Sequence, residues 1–348
     1  MSEGPGHSVT LTRLLPAAIS RGIVTTEQAA ALNALAAELG PRQARPRDDE
    51  ALRLVGGFGD IFVTIGLALF VGAAAYIANL AGNPLLGPLV AMVLSWALAE
   101  YFTRVRRLAL PSIALLAAFA AAVFFLILAF ALAVTAADPG SPLPLAVAAL
   151  GSAFAVALHY RRFGVPITVA AAVAGLGGAA LKGIEAAAPA LFASFMNPLL
   201  FVTGLVVFGL AMRIDMTDTA RTTRRADIAF WLHLLAAPLI VHPVLSGMQD
   251  NEASIGQAAA VLAVFAMLGF VALVVDRRAM LVSGLAYAGF AFANLLHQAG
   301  LGDLIMPATF LALGGLVLLL AAFWQGLRGI LLRVLPAGIV RRLPAAGR

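Results

Sequence analysis

The chain has 348 residues, 62% of them apolar and 11% charged, with a mean hydropathy of +0.97 and a formal charge of +6. Soluble globular chains carry about 25% charged residues, so this chain cannot cover itself with a polar surface. It has no cysteine, which excludes disulfides, thiolate chemistry and cysteine-held metal. The arginines sit in short connections between apolar runs rather than on one basic face, so the positive charge does not imply nucleic acid.

The first 55 residues contain no apolar core of signal-peptide type, and insertion is expected to begin at an uncleaved first helix. Residues 1–55 read as a cytoplasmic helical hairpin followed by a charged linker. "LTRLLPAAIS" has helical spacing and stops at Arg21-Gly22. "TTEQAAALNALAAELGP" opens with Thr25 and Gln28 in capping-box spacing and closes at Gly40-Pro41.

Residues 56–325 read as a transmembrane domain, because apolar runs near the ~20 residues that cross a bilayer recur along it. Ten spans are expected, at about 60–80, 85–103, 109–135, 142–160, 165–185, 197–213, 226–246, 255–275, 279–299 and 303–324. The fold class is therefore an all-α polytopic bundle. The third span is long enough to need tilt or a kink, and residues 186–196 before the short sixth read as a re-entrant or surface segment. On this map all 22 arginines fall at the N-terminus, in alternate connections or in the C-terminal tail, which places both termini in the cytoplasm. Residues 326–348 read as a cationic amphipathic tail drawn to anionic lipid at the cytoplasmic face, with docking to a protein as the alternative.

Paired arginines recur at 106–107, 161–162, 224–225 and 277–278. Topogenic arginine at each cytoplasmic turn accounts for them, and so does duplication of a two-helix unit. A competing symmetry sets "FVTIGLALFVGAA" against "FVTGLVVFGLA", the first span against the sixth, as in inverted-repeat transporters.

Ionisable groups at membrane depth are costly and each invites a functional reading. Asp60 stands at the start of the first span, where a carboxylate caps the helix; a proton or cation site is the alternative. The preceding Gly56, Gly57 and Gly59 lack the Lys-Ser/Thr of a phosphate loop. Glu100 lies four residues before Arg104, and Lys182 three before Glu185, spacings for local ion pairs at the interfaces. Asp227 and Asp276, each close to an arginine, read as interfacial charges. His233 lies about six residues, or ~9 Å, into the seventh span. His242 follows on the opposite face, and Pro238 and Pro243 interrupt the same helix. His242, Asn294, His297 and Asn79 are candidates for a polar pocket with His233, against separate polar residues that help helices pack.

No HExxH, GxSxG or DxD pair appears, and no supported Ser-Lys dyad, so neither an enzyme activity nor a cofactor or metal is expected. A cytoplasmic hairpin containing "SRGIVTTEQAAAL", followed by "RLVGGFGDIFVTIGLALFVGA" and a multispan array, resembles the bacterial membrane proteins grouped as domain of unknown function 2157. The resemblance covers residues 10–80 and implies a bacterial inner-membrane location, with no catalytic residues to carry over. Two function classes follow: a small-solute transporter or channel-like protein, or a non-transporting scaffold or sensor whose hairpin binds a partner protein.

Overall fold

The computed structural model describes residues 11–38, 58–218, 221, 223–246, 255–300, 302–336, 338 and 343, and all regular structure within them is helical. The chain divides into two compact units, residues 1–51 with Arg348, and residues 52–347.

In the first unit α1 (Leu11–Ser20) and α2 (Thr26–Glu38) form the expected hairpin. Gly22 takes φ +66°, the left-handed conformation that ends α1 without a side-chain clash. Its N–H donates to Ile19 O and the Ile23 N–H to Ala18 O, the paired bonds of a glycine-terminated helix. Thr25 and Gln28 cap α2 reciprocally: the Gln28 N–H donates to Thr25 Oγ1 at 3.2 Å and the Thr25 N–H to Gln28 Oε1 at 3.0 Å. The linker, with Gly56 and Gly57, lies outside the described residues.

The second unit holds α3 (Phe58–Asn79), α4 (Leu86–Ala99), α5 (Ala109–Thr135), α6 (Pro142–Phe163), α7 (Ile167–Ala187), α8 (Pro189–Asp215), α9 (Arg224–Ser246), α10 (Ile255–Val275), α11 (Ala279–Gln298) and α12 (Ile305–Val334). A π-helical turn, Glu100–Val105, extends α4. Among the described residues eight of these helices are long and apolar enough to cross a membrane. The protein is thus a multi-pass helical membrane protein. Of the other two expected spans, α10 offers a shorter apolar stretch, Ala259–Val275, and α11 carries Ser283, Asn294, His297 and Gln298 along its length.

Residues 189–194, within the segment expected to be re-entrant or on the surface, form a mostly exposed helical stretch set off from the rest of α8 by a kink at Phe195 (φ −120°, ψ 18°), just before Pro198, whose missing N–H removes a ladder bond. One stretch differs from the sequence expectation. At the C-terminal end, α12 continues to Val334, because nothing between Trp324 and Val334 breaks a helix; the first proline is Pro336, and Leu335 before it is already extended. The part of the expected surface tail up to Val334 therefore belongs to the bundle.

The closest-packed pairs are sequential hairpins, α6 with α7 and α8 with α9, followed by α5 with α6, α10 with α11 and α4 with α5. The turns after α4, α6, α8 and α10 each contain a left-handed residue among those described: Arg107 (φ 55°), Gly164 (φ 65°), Arg221 (φ 51°) and Asp276 (φ 60°), separated by 57, 57 and 55 residues. Small residues let the hairpins close. A Cβ on Gly175 of α7 would lie 2.9 Å from Ala153 Cβ and 3.1 Å from Ala149 O on α6. On α8, a Cβ on Gly204 would stand 2.8 Å from Ile240 Cγ1 and 2.9 Å from Ile240 N, backbone that cannot swing aside.

Gly204→Ala is accordingly expected to cost about 1–3 kcal/mol through overpacking, whereas Gly209→Ala on the same helix, where a Cβ meets nothing within 4 Å, is expected to be tolerated. Thermal unfolding of the two variants in detergent checks this; equal stabilities would contradict the close α8–α9 approach.

Candidate functional site: a buried arginine–aspartate–histidine cluster

The hairpin turns gather at one end of the bundle, joined by charge. At the first, Glu100 on the π-helical turn pairs with Arg104 at 2.6 Å, as the sequence spacing predicts, and reaches Arg162 at the end of α6 at 2.7 Å. These side chains remain a third to a half exposed. Next to them, Gly164 leaves room for Arg224: a Cβ there would be 2.5 Å from Arg224 Nη1. The same 62-residue separation that joins Glu100 to Arg162 joins Asp215 to Arg277, and there the pair is buried.

Asp215 ends α8 at 2% exposure, and Arg277, in the α10–α11 turn, is fully buried. Arg277 Nη2 donates to Asp215 Oδ1 at 2.7 Å and to Ala226 O at 3.1 Å, and Arg277 Nε to Asp215 Oδ2 at 3.3 Å. Arg221 Nη2 lies 3.5 Å from Asp215 Oδ2 and donates to Val275 O at 2.9 Å, while its Nη1 lies 3.4 Å from Asp276 Oδ2. Trp324 Nε1–H donates to Asp276 Oδ1 at 2.7 Å, and Arg328, one turn further along α12, lies 3.6 Å from Asp276 Oδ2. Trp324 and Arg328 are four residues apart and so share a helix face. Arg278 stacks 5.3 Å over the Trp324 ring. In the α8–α9 connection, Asp218 accepts from the Thr223 N–H at 2.9 Å.

His233 completes the cluster. It is fully buried on α9, with Nε2 3.6 Å from Asp215 Oδ2 and its ring 5.4 Å from Phe208. Among the described residues neither of its nitrogens makes a hydrogen bond within 3.5 Å, and Arg277 Nη1 makes none either. A buried ionic group without partners is expensive, and one carboxylate shared among several cations is a poor permanent solution. Asp276 and Arg277, expected as interfacial charges, are thus enclosed by protein at the α10–α11 turn. The left-handed turn at Asp276 and the bond from the Arg277 N–H to Ala272 O fold both side chains inward.

The other residues singled out from sequence are dispersed. A hydrogen bond joins His242 Nδ1 and the Tyr287 hydroxyl of α11. His297 is exposed, and the Asn294 side chain lies outside the described residues. Asn79 lies at the other end of α3, where its Oδ1 accepts the Gly87 N–H at 3.2 Å. It borders a cavity of about 880 Å³ between α3, α4 and α5, otherwise lined by apolar residues such as Ala75, Ala118 and Phe125. No hydrogen bond joins any two of His233, His242, His297 and Asn79 among the described residues. Lys182 and Glu185 pair at 2.7 Å, and Asp60 is buried in the first turn of α3. Sequence reading passes over His159, a buried histidine on α6 boxed by Trp96, Phe119 and Phe163, with neither ring nitrogen hydrogen-bonded among the described residues. The signal was an ionisable residue inside an apolar run, three before Arg162. Among the described residues no group of three or more His, Asp or Glu side chains could hold a metal ion.

Removing one partner of a buried pair typically costs about 3–5 kcal/mol, because the other is left charged and dry. Arg277→Gln is expected to lose that much, and the double variant Asp215→Asn with Arg277→Gln to lose less than the two single changes together. Glu100→Gln, at the exposed pair, is expected to change stability little. Thermal unfolding in detergent measures all four; additive losses at Asp215 and Arg277 would argue against a shared buried pair. Compared with known proteins, the chain matches no family model, no curated protein and no solved structure.

Proposed function

We propose that this protein is a small-solute transporter or channel-like protein of the bacterial inner membrane, with ten spans and both termini in the cytoplasm. The arginine-bearing end of its second half is then a cytoplasmic gate. The observation that carries the reading is the buried, incompletely satisfied cluster around Asp215. A permanent closure in a membrane bundle needs only small apolar residues, as where Gly175 of α7 meets Ala149 and Ala153 of α6. Charges withdrawn from water cost several kcal/mol each. An arrangement that leaves Arg277 Nη1 and both His233 nitrogens without a hydrogen bond among the described residues is suited to opening, since water would satisfy them. Pro238 and Pro243 in α9 and Pro198 in α8 supply weak points about which the helices can bend. Membership of the domain of unknown function 2157 group, implied by residues 10–80, agrees with the location.

The natural absence of cysteine makes a direct test simple. Ala237, one turn beyond His233 on α9, is packed with Ala272, Met280 and Trp324. In an Ala237→Cys variant the thiol is expected to be shielded from a membrane-impermeant maleimide. Added Asp215→Asn and Arg277→Gln changes are expected to expose it to reagent from the cytoplasmic side alone, at unchanged labelling of a surface control. A thiol that stays shielded, or reacts from both sides, would contradict a gate.

The second reading, a scaffold or sensor acting through the hairpin, is favoured by apolar side chains left exposed in the first unit, Ile19, Ile23, Leu32 and Leu35. Deleting residues 1–50 should then abolish co-purification of a partner; an unchanged set of co-purifying proteins counts against it.

A further inference from the structure

The two oxygens of Asp215 are held differently. Oδ1 takes one short bond, from Arg277 Nη2 at 2.7 Å. Oδ2 faces three nitrogens, Arg277 Nε at 3.3 Å, Arg221 Nη2 at 3.5 Å and His233 Nε2 at 3.6 Å. All three lie beyond the 2.7–3.2 Å range in which N–H···O bonds are strong. The oxygen takes one long bond, from Arg277 Nε, and faces two further nitrogens that stand beyond strong hydrogen-bond distance.

The surroundings leave His233 one ionic neighbour of opposite sign. Asp215 reaches it from α8, Arg221 from the α8–α9 connection and Arg277 from the α10–α11 turn. Phe208 of α8 stands beside the ring, and the flanking Leu232 and Ala236 belong to an apolar core with Ala170 and Val173 of α7. The charged residues of α7, Lys182 and Glu185, bond to each other near its opposite end. On α11, Tyr287 is committed to His242.

A neutral imidazole carries one N–H, whereas a protonated one carries two and a unit charge. Protonated, His233 can close on Oδ2 with a charge-assisted bond of about 2.7–2.9 Å. Oδ2 already takes the long Arg277 Nε bond and faces Arg221, so an imidazolium bond at Oδ2 competes with both arginines for that oxygen. Arg277 and Arg221 also hold Ala226 O and Val275 O, so loosening them loosens both turns. We infer that His233 and Asp215 form a proton-binding site and that the proton is the coupling ion of the gate, an inference that rests on the transport function proposed above. The proton arrives from water on the arginine side, resides on the imidazole and leaves as Arg277 returns to Asp215. No bond other than N–H is made or broken.

His159 is the internal control. It is equally buried, yet its box is aromatic, and no carboxylate pairs with it among the described residues. The experiment uses the full chain, labelled with ¹⁵N-histidine, in lipid nanodiscs, titrated from about pH 8.5 to about pH 5 across the ordinary histidine range. His233→Gln and His159→Gln variants assign the resonances. The wild-type His233 signal is expected to convert from the neutral to the imidazolium pattern. Trp324, which donates to Asp276 within the same cluster, reports the loosening when it is the sole tryptophan, after Trp96→Phe and Trp231→Phe. Its fluorescence change on acidification should be lost in His233→Gln and in Asp215→Asn and kept in His159→Gln. Acid should also expose the Ala237→Cys thiol to cytoplasmic maleimide.

A wild-type His233 that stays neutral throughout overturns the proposal, and so does a Trp324 response that survives His233→Gln. Titration of His233 with the thiol still shielded at acid pH overturns the coupling. If Asp215→Asn with Arg277→Gln exposes the thiol while His233 stays neutral, the gate stands and the proton site alone falls.

Discussion

A carboxylate and a guanidinium can both leave water only if each lies against the other, and Asp215 against Arg277 is where this bundle meets that condition. The pair closes a gap of 62 residues, so α8 must end where the α10–α11 turn begins. Arg221 then bridges from the α8–α9 connection to Asp276, and Trp324 with Arg328 brings α12 to the same place. The apolar helix surfaces give the second half its bulk; the charges fix which ends meet.

Helix positions were legible because length and hydropathy are local properties, and so were the ion pairs Glu100–Arg104 and Lys182–Glu185, whose partners lie within one helical turn. The cluster was not. Asp276 and Arg277 sit beside each other at the end of an apolar run, and solvation at the interface is the simple reading of such a dipeptide. What buries them is a left-handed turn and four distant partners, none of which local spacing reveals. Arg328 was misplaced for a related reason: its cationic surroundings suggested a surface tail, whereas an unbroken helix carries it into the interior. His233 was singled out correctly as an ionisable group at depth, but its partner on α8 could not be read from α9.

The left-handed residues in the four turns at the arginine end are separated by 57, 57 and 55 residues, more evenly than the arginine pairs beside them. Arginine at a turn serves topology wherever it falls nearby, so its position can drift. The near-equal spacing sets the exposed Glu100–Arg162 pair and the buried Asp215–Arg277 pair in comparable places, one left at the water boundary and the other enclosed.

Enclosure depends on α12, and that has a consequence for biogenesis. Helices enter the bilayer in the order of synthesis, so Asp215, Arg221, Asp276 and Arg277 are all present before Trp324 and Arg328 emerge. Those four already balance, two charges of each sign, and can wait beside one another without their final neighbours. Asp276 Oδ1, however, has no indole N–H to accept from until Trp324 arrives. A chain that stops short of Trp324 therefore leaves Asp276 without its indole donor and without Arg328, so this end of the bundle is complete only once residues 324–328 have been made.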